Sequence, residues 1–438
     1  TYGYDAASNL TSYCDAGGTV TYAYDAANRM IGVATGTGSC TAGAIVQPCT
    51  QYGYDTINQL TTITYPTSTG WTAAMTYSAA GNETGATYTD GSTTEQALTY
   101  AYHQGTNDVP LVQSAANSST GVTTTYSYDG QNRLLEATTG TASTTDSYAY
   151  TGDGNLTTVD LGGTTTTMAY DPANELCWAK SGTSSNACSS APSGAVTYTY
   201  DADGNQTANS AGEAIGYNSL NQTTALKPAG GSTESFAYTG VDSTERTQAG
   251  TATFTNNELG VASRTKGSTT AYFTYLPAGK TGRLNSMQVG SSRYYYLYDG
   301  LGNVDGLIDG TGTRAATYAF SPYGTTTSSS GTQASTNPFR YEAGYTDTTG
   351  FVHFGARYLN PQLGTWTQQD PAQTVPTYQY STDNPVNGSD PTGYGLLTLF
   401  HPQGPFSTFL QCVWTRKASG RIPDFVAVDG FPGITCTI

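Results

Sequence analysis

A short unit, Tyr-x-Tyr-Asp with Asn or Gly three or four positions after the Asp, recurs along most of the 438-residue chain. The second tyrosines of successive units often follow one another at nearly constant spacing, as from Tyr4 to Tyr24 or from Tyr128 to Tyr150. A repeat constrains the fold strongly, because each copy must form the same local structure and pack on its neighbours. Clear copies begin at Tyr2, Tyr22, Tyr52, Tyr126 and Tyr198 and lie within 294–299; weaker copies contain Tyr77, Tyr150, Tyr170, Tyr217, Tyr238 and Tyr275.

Each unit is predicted to be a strand, a tight turn and a returning strand such as residues 132–137. Tyrosines at positions i and i+2 of a strand point to the same face. The Asp that follows can accept hydrogen bonds from backbone amides in a turn, and Asn or Gly tolerates the positive φ that such a turn requires. One hairpin of this size is marginal alone, so the units are predicted to stack side by side into a long sheet.

Charged residues make up only 11% of the sequence, with 16 Lys and Arg against 32 Asp and Glu, for a net charge of -16. This balance excludes a nucleic-acid binder that works through bulk positive charge. Disorder is also excluded, because 37% of the residues are hydrophobic and 35 are Tyr. The sequence shows no apolar run of the length that would predict a membrane span.

Two intervals between second tyrosines, Tyr24 to Tyr54 and Tyr170 to Tyr200, are both 30 residues, and each contains a close pair of cysteines. We predict that Cys40 pairs with Cys49 and Cys177 with Cys188, as disulfides within loop insertions rather than buried free thiols. Each disulfide would contribute about 2–3 kcal/mol through loop closure. Disulfides indicate an oxidising, extracellular setting. The other cysteines are a candidate third pair and an odd residue: Cys412, Cys436 and Cys14.

The C-terminal third carries several further motifs in a fixed order, at residues 298–304, 318–324, 339–351, 355–361, 364–371 and 378–393. Together with the Tyr-Asp unit, these motifs resemble the YD repeats and the Rhs-repeat-associated core of Rhs (rearrangement hotspot) proteins. The related shells of teneurins and Tc-toxin C components share the same repeat. The resemblance covers about residues 1–393, with Gly300 standing where the family has His.

The resemblance implies an all-β fold, in which a YD-repeat β-sheet spiral forms a hollow shell closed by the Rhs-associated core. The expected domains are a β-shell at 1–290, the associated core at 291–393 and a variable C-terminal segment at 394–438, a short or truncated effector or a plug. The composition agrees with this fold. Thr alternates with Tyr or Ala in the strands, and this alternation predicts that one face of the sheet is exposed to solvent. Because Thr1 lies within a repeat, we expect the chain to be a fragment of a longer protein.

Asp370 and Asp390 are the candidate catalytic residues, and each is followed directly by Pro. The resemblance implies that matching aspartates form an aspartic-protease-like site that cuts the chain just after D-P-x-G-x. Such chemistry needs two close carboxyl groups that share a proton. The family's Arg is replaced by Thr365, and the alternative is that both aspartates only cap turns. The residues at the predicted cut are Gly393, Tyr394 and Gly395.

No metal or cofactor site is predicted. Residues 201–205 are similar to the start of a calcium loop, but the Glu required at its twelfth position is absent, which favours a plain turn. His103, His353 and His401 are too dispersed for a zinc motif. The tryptophans could stack on sugars, although packing in the wall is the favoured interpretation: Trp71, Trp178, Trp366 and Trp414.

The predicted function is that of a secreted or cell-surface shell that encapsulates a C-terminal toxin and delivers it in interbacterial competition. Release by self-cleavage is part of this expectation, and a plain self-cleaving enzyme is a weaker alternative. The expected partners are the chain's own C-terminal segment as cargo, an immunity protein, and a target-cell surface or glycan. A cell-surface adhesion or carbohydrate-binding module is the rival function.

Overall fold

The computed structural model describes residues 1–41, 44–104, 107–140, 144–239, 246–277, 283–371, 378–394 and 397–398. In these ranges the helices are three short 3₁₀ turns, Thr67–Thr69, Tyr341–Ala343 and Ser381–Asp383. None of the described helices is long and apolar enough to be a candidate membrane span. His401, Cys412, Trp414 and Cys436 lie outside the described residues.

The described residues contain forty strands, which are numbered in chain order. They are β1 (Tyr2–Tyr4), β2 (Leu10–Asp15), β3 (Gly18–Tyr24), β4 (Met30–Thr35), β5 (Ser39–Thr41), β6 (Ala44–Val46), β7 (Cys49–Tyr54), β8 (Leu60–Thr64), β9 (Trp71–Tyr77), β10 (Glu83–Asp90), β11 (Thr93–Ala101), β12 (His103–Gln104), β13 (Asn107–Asp108), β14 (Ser114–Asn117), β15 (Val122–Tyr128), β16 (Leu134–Thr139), β17 (Thr144–Tyr150), β18 (Leu156–Leu161), β19 (Thr164–Tyr170), β20 (Leu176–Ser181), β21 (Val196–Tyr200), β22 (Gln206–Asn209), β23 (Ala214–Tyr217), β24 (Thr223–Lys227), β25 (Glu234–Tyr238), β26 (Arg246–Ala249), β27 (Ala252–Asn257), β28 (Gly260–Lys266), β29 (Thr269–Tyr275), β30 (Leu284–Val289), β31 (Ser292–Tyr298), β32 (Val304–Asp309), β33 (Arg314–Phe320), β34 (Thr326–Ser330), β35 (Tyr345–Thr346), β36 (Val352–Phe354), β37 (Arg357–Asn360), β38 (Thr365–Trp366), β39 (Gly388–Ser389) and β40 (Leu397–Thr398).

Thirty of these strands form one sheet in which each strand pairs antiparallel with the strands before and after it in the chain. The sheet is therefore an up-and-down meander from β1 to β34. It omits only the two small hairpins β5–β6 and β12–β13. A separate four-stranded sheet, β35–β38, and the pair β39–β40 follow the meander. The predicted all-β fold and side-by-side stacking of the units are confirmed.

A β-bulge marks the second aromatic residue of the unit in twelve hairpins of the meander. At Tyr298, for example, the pairing register shifts between Leu297 and Tyr298. The two tyrosine rings of this unit still stack on one side of the sheet, with Tyr296 and Tyr298 centroids 6.2 Å apart. Because a bulge increases local twist, its repetition bends the meander in the same sense at every unit.

Where an Asp follows the bulge, it holds the turn, as predicted; in other units Thr151, Asn218 or Ser321 takes the same place. Asp25 Oδ1 accepts the backbone N–H groups of Ala27 and Arg29 at 2.9 and 3.0 Å. In these described turns the residue with positive φ is the third after the Asp position, as with Asn28 at 60°. Where Asn is the fourth residue, as in Asn9, it instead donates its side-chain amide to the Asp carboxylate. The sequence pattern alone did not distinguish an Asn that adopts positive φ from an Asn that donates to the Asp carboxylate.

The predicted disulfides are present, between Cys40 and Cys49 and between Cys177 and Cys188, with Cα atoms 5.6 and 5.4 Å apart. The first joins the β5–β6 insertion to β7. It lies against Gly32 of β4, where a Cβ atom would come within 2.2 Å of Cys40 Cβ. Cys14 is free and exposed, as expected for the odd cysteine.

Strands far apart in the chain pack on each other across a shared core. Tyr22 Oη donates to the carbonyl of Tyr275 at 2.7 Å, and Tyr65 Oη donates to the carbonyl of Tyr296 at 3.0 Å. One cluster of buried hydrophobic residues runs from Leu10 to Val386. The described residues accordingly belong to one compact unit. The predicted domain boundaries at 290 and 393 stay predictions.

Candidate functional site

The two predicted aspartates both lie beside a buried arginine. Arg357 begins β37, Asp390 directly follows β39, and Asp370 lies shortly after the end of β38. Arg357 Nη2 donates to Asp390 Oδ2 at 2.7 Å and lies 3.9 Å from Asp370 Oδ2. The side chains of all three residues are 2% exposed. The structure therefore brings together two carboxyl groups that belong to separate loops of the chain.

The surroundings of Arg357 are aromatic, and its guanidinium group lies over the Trp366 ring at 4.2 Å from the centroid. Burial lowers the pKa of Arg357, and the nearby charges of Asp390 and Asp370 oppose that shift. With both carboxyl groups ionised, the cluster carries one excess negative charge away from water. Taking an unbalanced charge out of water is costly, and the guanidinium group of Arg357 offsets part of that cost. An aspartic-protease-like site would require one proton shared between two such carboxyl groups.

The sequence showed Thr365 in place of the family's Arg but did not connect any other arginine with the two aspartates. Thr365 lies on β38, where its backbone pairs with Asn360. The guanidinium group beside the aspartates belongs to Arg357 instead. Its signal was present in the 355–361 motif, but the sequence spacing did not connect that motif with Asp370 or Asp390.

Glu342 and Tyr380 are further buried polar residues near the site that sequence reasoning missed. The Tyr380 hydroxyl donates a hydrogen bond to the Glu342 carboxyl group. Burial raises the pKa of Glu342 well above 4.5, against the opposing effect of hydrogen bonds from Tyr380 and Tyr341, and the charge of Asp390 adds to the rise. The Tyr380 ring lies 5.2 Å from the Trp366 ring, which places this pair next to the Arg357 cluster.

Two strained backbone segments accompany this pair. Glu342 has φ of 45°, and the three consecutive residues Ser381–Asp383 have φ between 48° and 63°. Residues other than glycine adopt this left-handed region at a cost of about 1–3 kcal/mol each, and they cluster at functional sites. The strain could not be predicted from sequence, because neither segment contains the glycine that usually marks such a conformation.

The chain at the predicted cut packs on the loop that carries Arg357. Thr392 Oγ1 donates to Asp390 Oδ1 at 3.2 Å and accepts the N–H of Tyr394 at 3.2 Å. Gly393 has φ of 67°, and a Cβ atom there would lie 2.3 Å from the carbonyl oxygen of Phe354. Tyr394 is 43% exposed, whereas Gly395 lies outside the described residues. Asp390 thus belongs both to a tight turn and to the buried charge cluster.

The candidate calcium loop lies in a turn, and the described candidate sugar-stacking tryptophans lie in the core. Asp201 Oδ1 accepts the N–H groups of Asp203 and Asn205, which is the same turn as in the other units. In the described ranges there is no group of three or more His, Cys, Asp or Glu side chains that could hold a metal ion. The described tryptophans are at most 2% exposed and pack in the core: Trp71, Trp178 and Trp366.

Two known families match the sequence. The Teneurin YD-shell family matches residues 80–388, which is more than half of the chain, and the RHS Repeat family matches residues 4–39. The toxin subunit YenC1 of Yersinia entomophaga is 33% identical over 113 residues, covering 24% of this chain and 12% of its own length. The tRNA3(Ser)-specific nuclease WapA of Bacillus spizizenii is 30% identical over 135 residues, covering 28% of this chain and 6% of its own length. The chain therefore spans only a small part of these relatives.

Solved structures share the fold. A crystal structure of TcdB2-TccC3-TEV superposes with a TM-score of 0.58 at 18% identity, covering 90% of this chain and 21% of that one. The Tc holotoxin pore of Photorhabdus luminescens superposes with a TM-score of 0.52 at 17% identity, again covering 90% of this chain and 21% of the other. At this level of identity the likeness concerns the fold alone.

Proposed function

Because the chain belongs to the teneurin YD-shell family, we propose that it forms part of an extracellular shell that encloses a toxin segment and delivers it in competition between bacteria. The observation that carries the proposal is the continuous meander of thirty strands, each paired with its neighbours in the chain. A curved sheet of this length encloses volume while leaving few unpaired edges, which suits a container. Secretion or display on the cell surface agrees with the two disulfides, which persist in oxidising compartments.

The names of the relatives support a toxic cargo. One relative is a toxin subunit and another is a tRNA-specific nuclease, and each is similar to about a quarter of this chain. The proposed cargo is the chain's own segment after Tyr394. An immunity protein that neutralises this cargo, and a receptor or glycan on the target cell, are the proposed partners. Expression of the segment after Tyr394 with and without the neighbouring open reading frame tests this point: toxicity that the neighbour relieves is the expected result.

Release of the cargo is proposed to occur by hydrolysis of the Tyr394–Gly395 peptide bond. The ionised member of the Asp370–Asp390 pair takes a proton from a water molecule, whose oxygen bonds to the carbonyl carbon of Tyr394. The protonated member gives its proton to the nitrogen of Gly395 as the carbon–nitrogen bond breaks. The products are a carboxylate at Tyr394 and an amine at Gly395. Arg357 holds both carboxyl groups in place and balances one of their charges.

Denaturing electrophoresis and intact mass of the purified chain test this release. The wild-type protein is expected to give two fragments that meet at Tyr394 and Gly395, whereas Asp370→Asn and Asp390→Asn each leave one intact chain. Asp203→Asn, in an exposed turn of the wall, is the matched control and is expected to cut normally. Denaturing conditions are essential, because β39 and β40 pair across the cut and can keep the fragments together. A wild-type chain that stays intact between mildly acidic and neutral pH would contradict the proposal.

The rival function, binding of a carbohydrate or other polar ligand, is supported by a cleft of about 440 Å³. The cleft lies between strands β25–β28 and the residues after β33, and its charged lining residues are Arg264, Lys266, Arg340, Glu234 and Asp347. Its Lys and Arg residues are three of only 16 in an acidic chain. Binding to acidic glycans on an array, lost in Lys266→Glu, is the result that would favour this function over the shell.

A further inference from the structure

We propose that Thr392 is a positioning residue of the cleavage site, whose hydroxyl group holds the backbone of Tyr394 beside Asp390 so that the chain is cut at a single bond. This inference rests on the self-cleavage proposed above, and it concerns a residue to which that mechanism gives no role. Thr392 Oγ1 lies 3.2 Å from Asp390 Oδ1 and 3.2 Å from the nitrogen of Tyr394. One hydroxyl group therefore connects a buried carboxyl group to the residue whose carbonyl is attacked.

Other contacts fix the preceding backbone. The N–H of Ala356 donates to the carbonyl of Thr392 at 2.9 Å, and the N–H of Gly393 donates to the carbonyl of Asp390 at 3.3 Å. The lack of a side chain at Gly393 permits its close approach to Phe354. These contacts hold the chain as far as Gly393, and the Thr392 hydroxyl accepts the N–H of Tyr394, a residue that is 43% exposed.

The hydroxyl group is expected to matter more for the reaction than for the fold. A misplacement of about 1 Å between reacting groups can lower a rate by on the order of 100-fold. Thr392 itself is only partly buried and lies in a turn at the end of the described associated core, so few packing contacts depend on it. Loss of the hydroxyl should therefore slow cleavage and broaden the choice of bond while leaving the melting temperature nearly unchanged.

The decisive comparison is between Thr392→Val, which keeps the shape but lacks the hydroxyl, and Thr392→Ser, which keeps the hydroxyl. We expect Thr392→Val to cut more slowly by about 10-fold or more and to give tails with more than one N-terminus, whereas Thr392→Ser cuts at nearly the wild-type rate and position. The measurements are a time course on denaturing gels and N-terminal sequencing of the tail. Thr327→Val, on the exposed strand β34, is the control and should match the wild type.

The outcomes separate the two proposals. Equal rates and one identical cut in wild type and Thr392→Val would overturn this inference and leave the self-cleavage intact. Equal slowing in the Val and Ser variants would also overturn it, because packing and not the hydroxyl would then be responsible. If Thr392→Val does not fold, Thr392→Ala serves as the second hydroxyl-free variant and must be slow as well. A wild-type chain that never cuts would overturn the self-cleavage and this inference together.

Discussion

Arg246 places a full positive charge inside the molecule, between the meander and the residues that follow it. Its guanidinium group donates to Asp347 Oδ2 and to the Tyr358 hydroxyl, both at 2.6 Å. It also lies 4.6 Å from the centroid of the Tyr345 ring and 5.1 Å from that of Phe254. Burial raises the pKa of Asp347 to about 6, and attraction to Arg246 opposes that rise. A single ion pair thus joins β26 to the turn after β35.

Replacing Arg246 with Ala is expected to lower the free energy of unfolding by about 3–5 kcal/mol, because Asp347 would be left buried without its partner. Urea unfolding followed by tyrosine fluorescence measures the change. The control is Arg29→Ala, whose ion pair with Asp25 is 29% and 22% exposed. This partly exposed pair should contribute no more than about 1 kcal/mol. Equal losses in the two variants would contradict the role given to burial.

Stability is expected to fall as the pH rises from the ordinary carboxyl range towards neutrality. Burial raises the pKa of Glu83 and of Glu213 to about 7, and that of Asp299 to about 6. The folded state therefore binds more protons than the unfolded state across this range. The stability that these carboxyl groups contribute is fully present below their unfolded pKa and is lost as they ionise in the folded state. Turn aspartates such as Asp25 have lowered pKa values, so their contribution to stability changes at lower pH than that of the buried carboxyl groups.

Melting temperatures measured from mildly acidic to mildly alkaline pH test this expectation. Glu213→Gln should flatten part of the decline, because it removes one buried ionisable group while keeping a side chain of the same shape beside Gln206. The exposed Glu95→Gln should leave the decline unchanged. A melting temperature that rises across the same window in the wild type would refute the assignment.

At the scale of the repeated element, the second tyrosine links one hairpin to the one before it. The Tyr24 hydroxyl donates to the carbonyl of Leu10 at 2.9 Å, and the same bond recurs in later units, as from Tyr150 to Leu134 at 2.7 Å. The turns are connected as well, since Arg29 pairs with Asp25 and donates to the carbonyl of Asp55 in the next turn. Neighbouring hairpins are therefore joined at one edge by side chains in addition to the backbone ladder.

Tyr24→Phe is expected to destabilise the chain by about 1 kcal/mol, because it leaves the carbonyl of Leu10 without this hydrogen bond while keeping the packed ring. The matched control is Tyr4→Phe, since Tyr4 is 53% exposed and its hydroxyl bonds to Glu258 at the surface. That variant should change the free energy of unfolding by only a few tenths of a kcal/mol. The measurement is urea unfolding, and an equal effect of both changes would speak against the inter-hairpin bond.

The repeated unit was predictable from the sequence because its determinants are local. The strand, the Asp turn and the two disulfides depend on residues that lie close together along the chain. The bulge at the second tyrosine was not predicted, because a Tyr-x-Tyr pattern is compatible with a regular strand. The contact of Arg357 with Asp390 was missed for a different reason: it joins residues 33 positions apart, and only the packing of two separate loops brings them together.

At the scale of the whole molecule, the buried cluster is continuous from Leu10 to Val386 and crosses between strands distant in sequence. Trp71 Nε1, for example, donates to the carbonyl of Gly312 at 2.8 Å, and Tyr378 donates to the carbonyl of Gly204 at 2.6 Å. The first contact joins an early hairpin to a late one, and the second joins the residues after the meander to its middle. No described part of the chain up to Thr398 is a separate compact unit.

Limited proteolysis is expected to leave one large resistant core that ends near residue 394, because a cut inside the meander would expose paired strands and shared core residues. Mass spectrometry of the surviving fragments measures the outcome. Differential calorimetry of the same sample should show one transition. Two stable fragments divided near residue 210, or two separate transitions, would indicate independent domains instead.

The order of strand pairing has a consequence for the way such a chain is produced. Each strand of the meander pairs with the strand made just before it, so a chain that emerges N-terminus first from a ribosome or an export channel always finds its next partner already in place. Local pairing of this kind favours rapid folding. The contact between Tyr22 and Tyr275, in contrast, forms only after a further 253 residues have emerged. The chain can therefore fold from its N-terminus, one hairpin after another, and the contacts between distant strands form last.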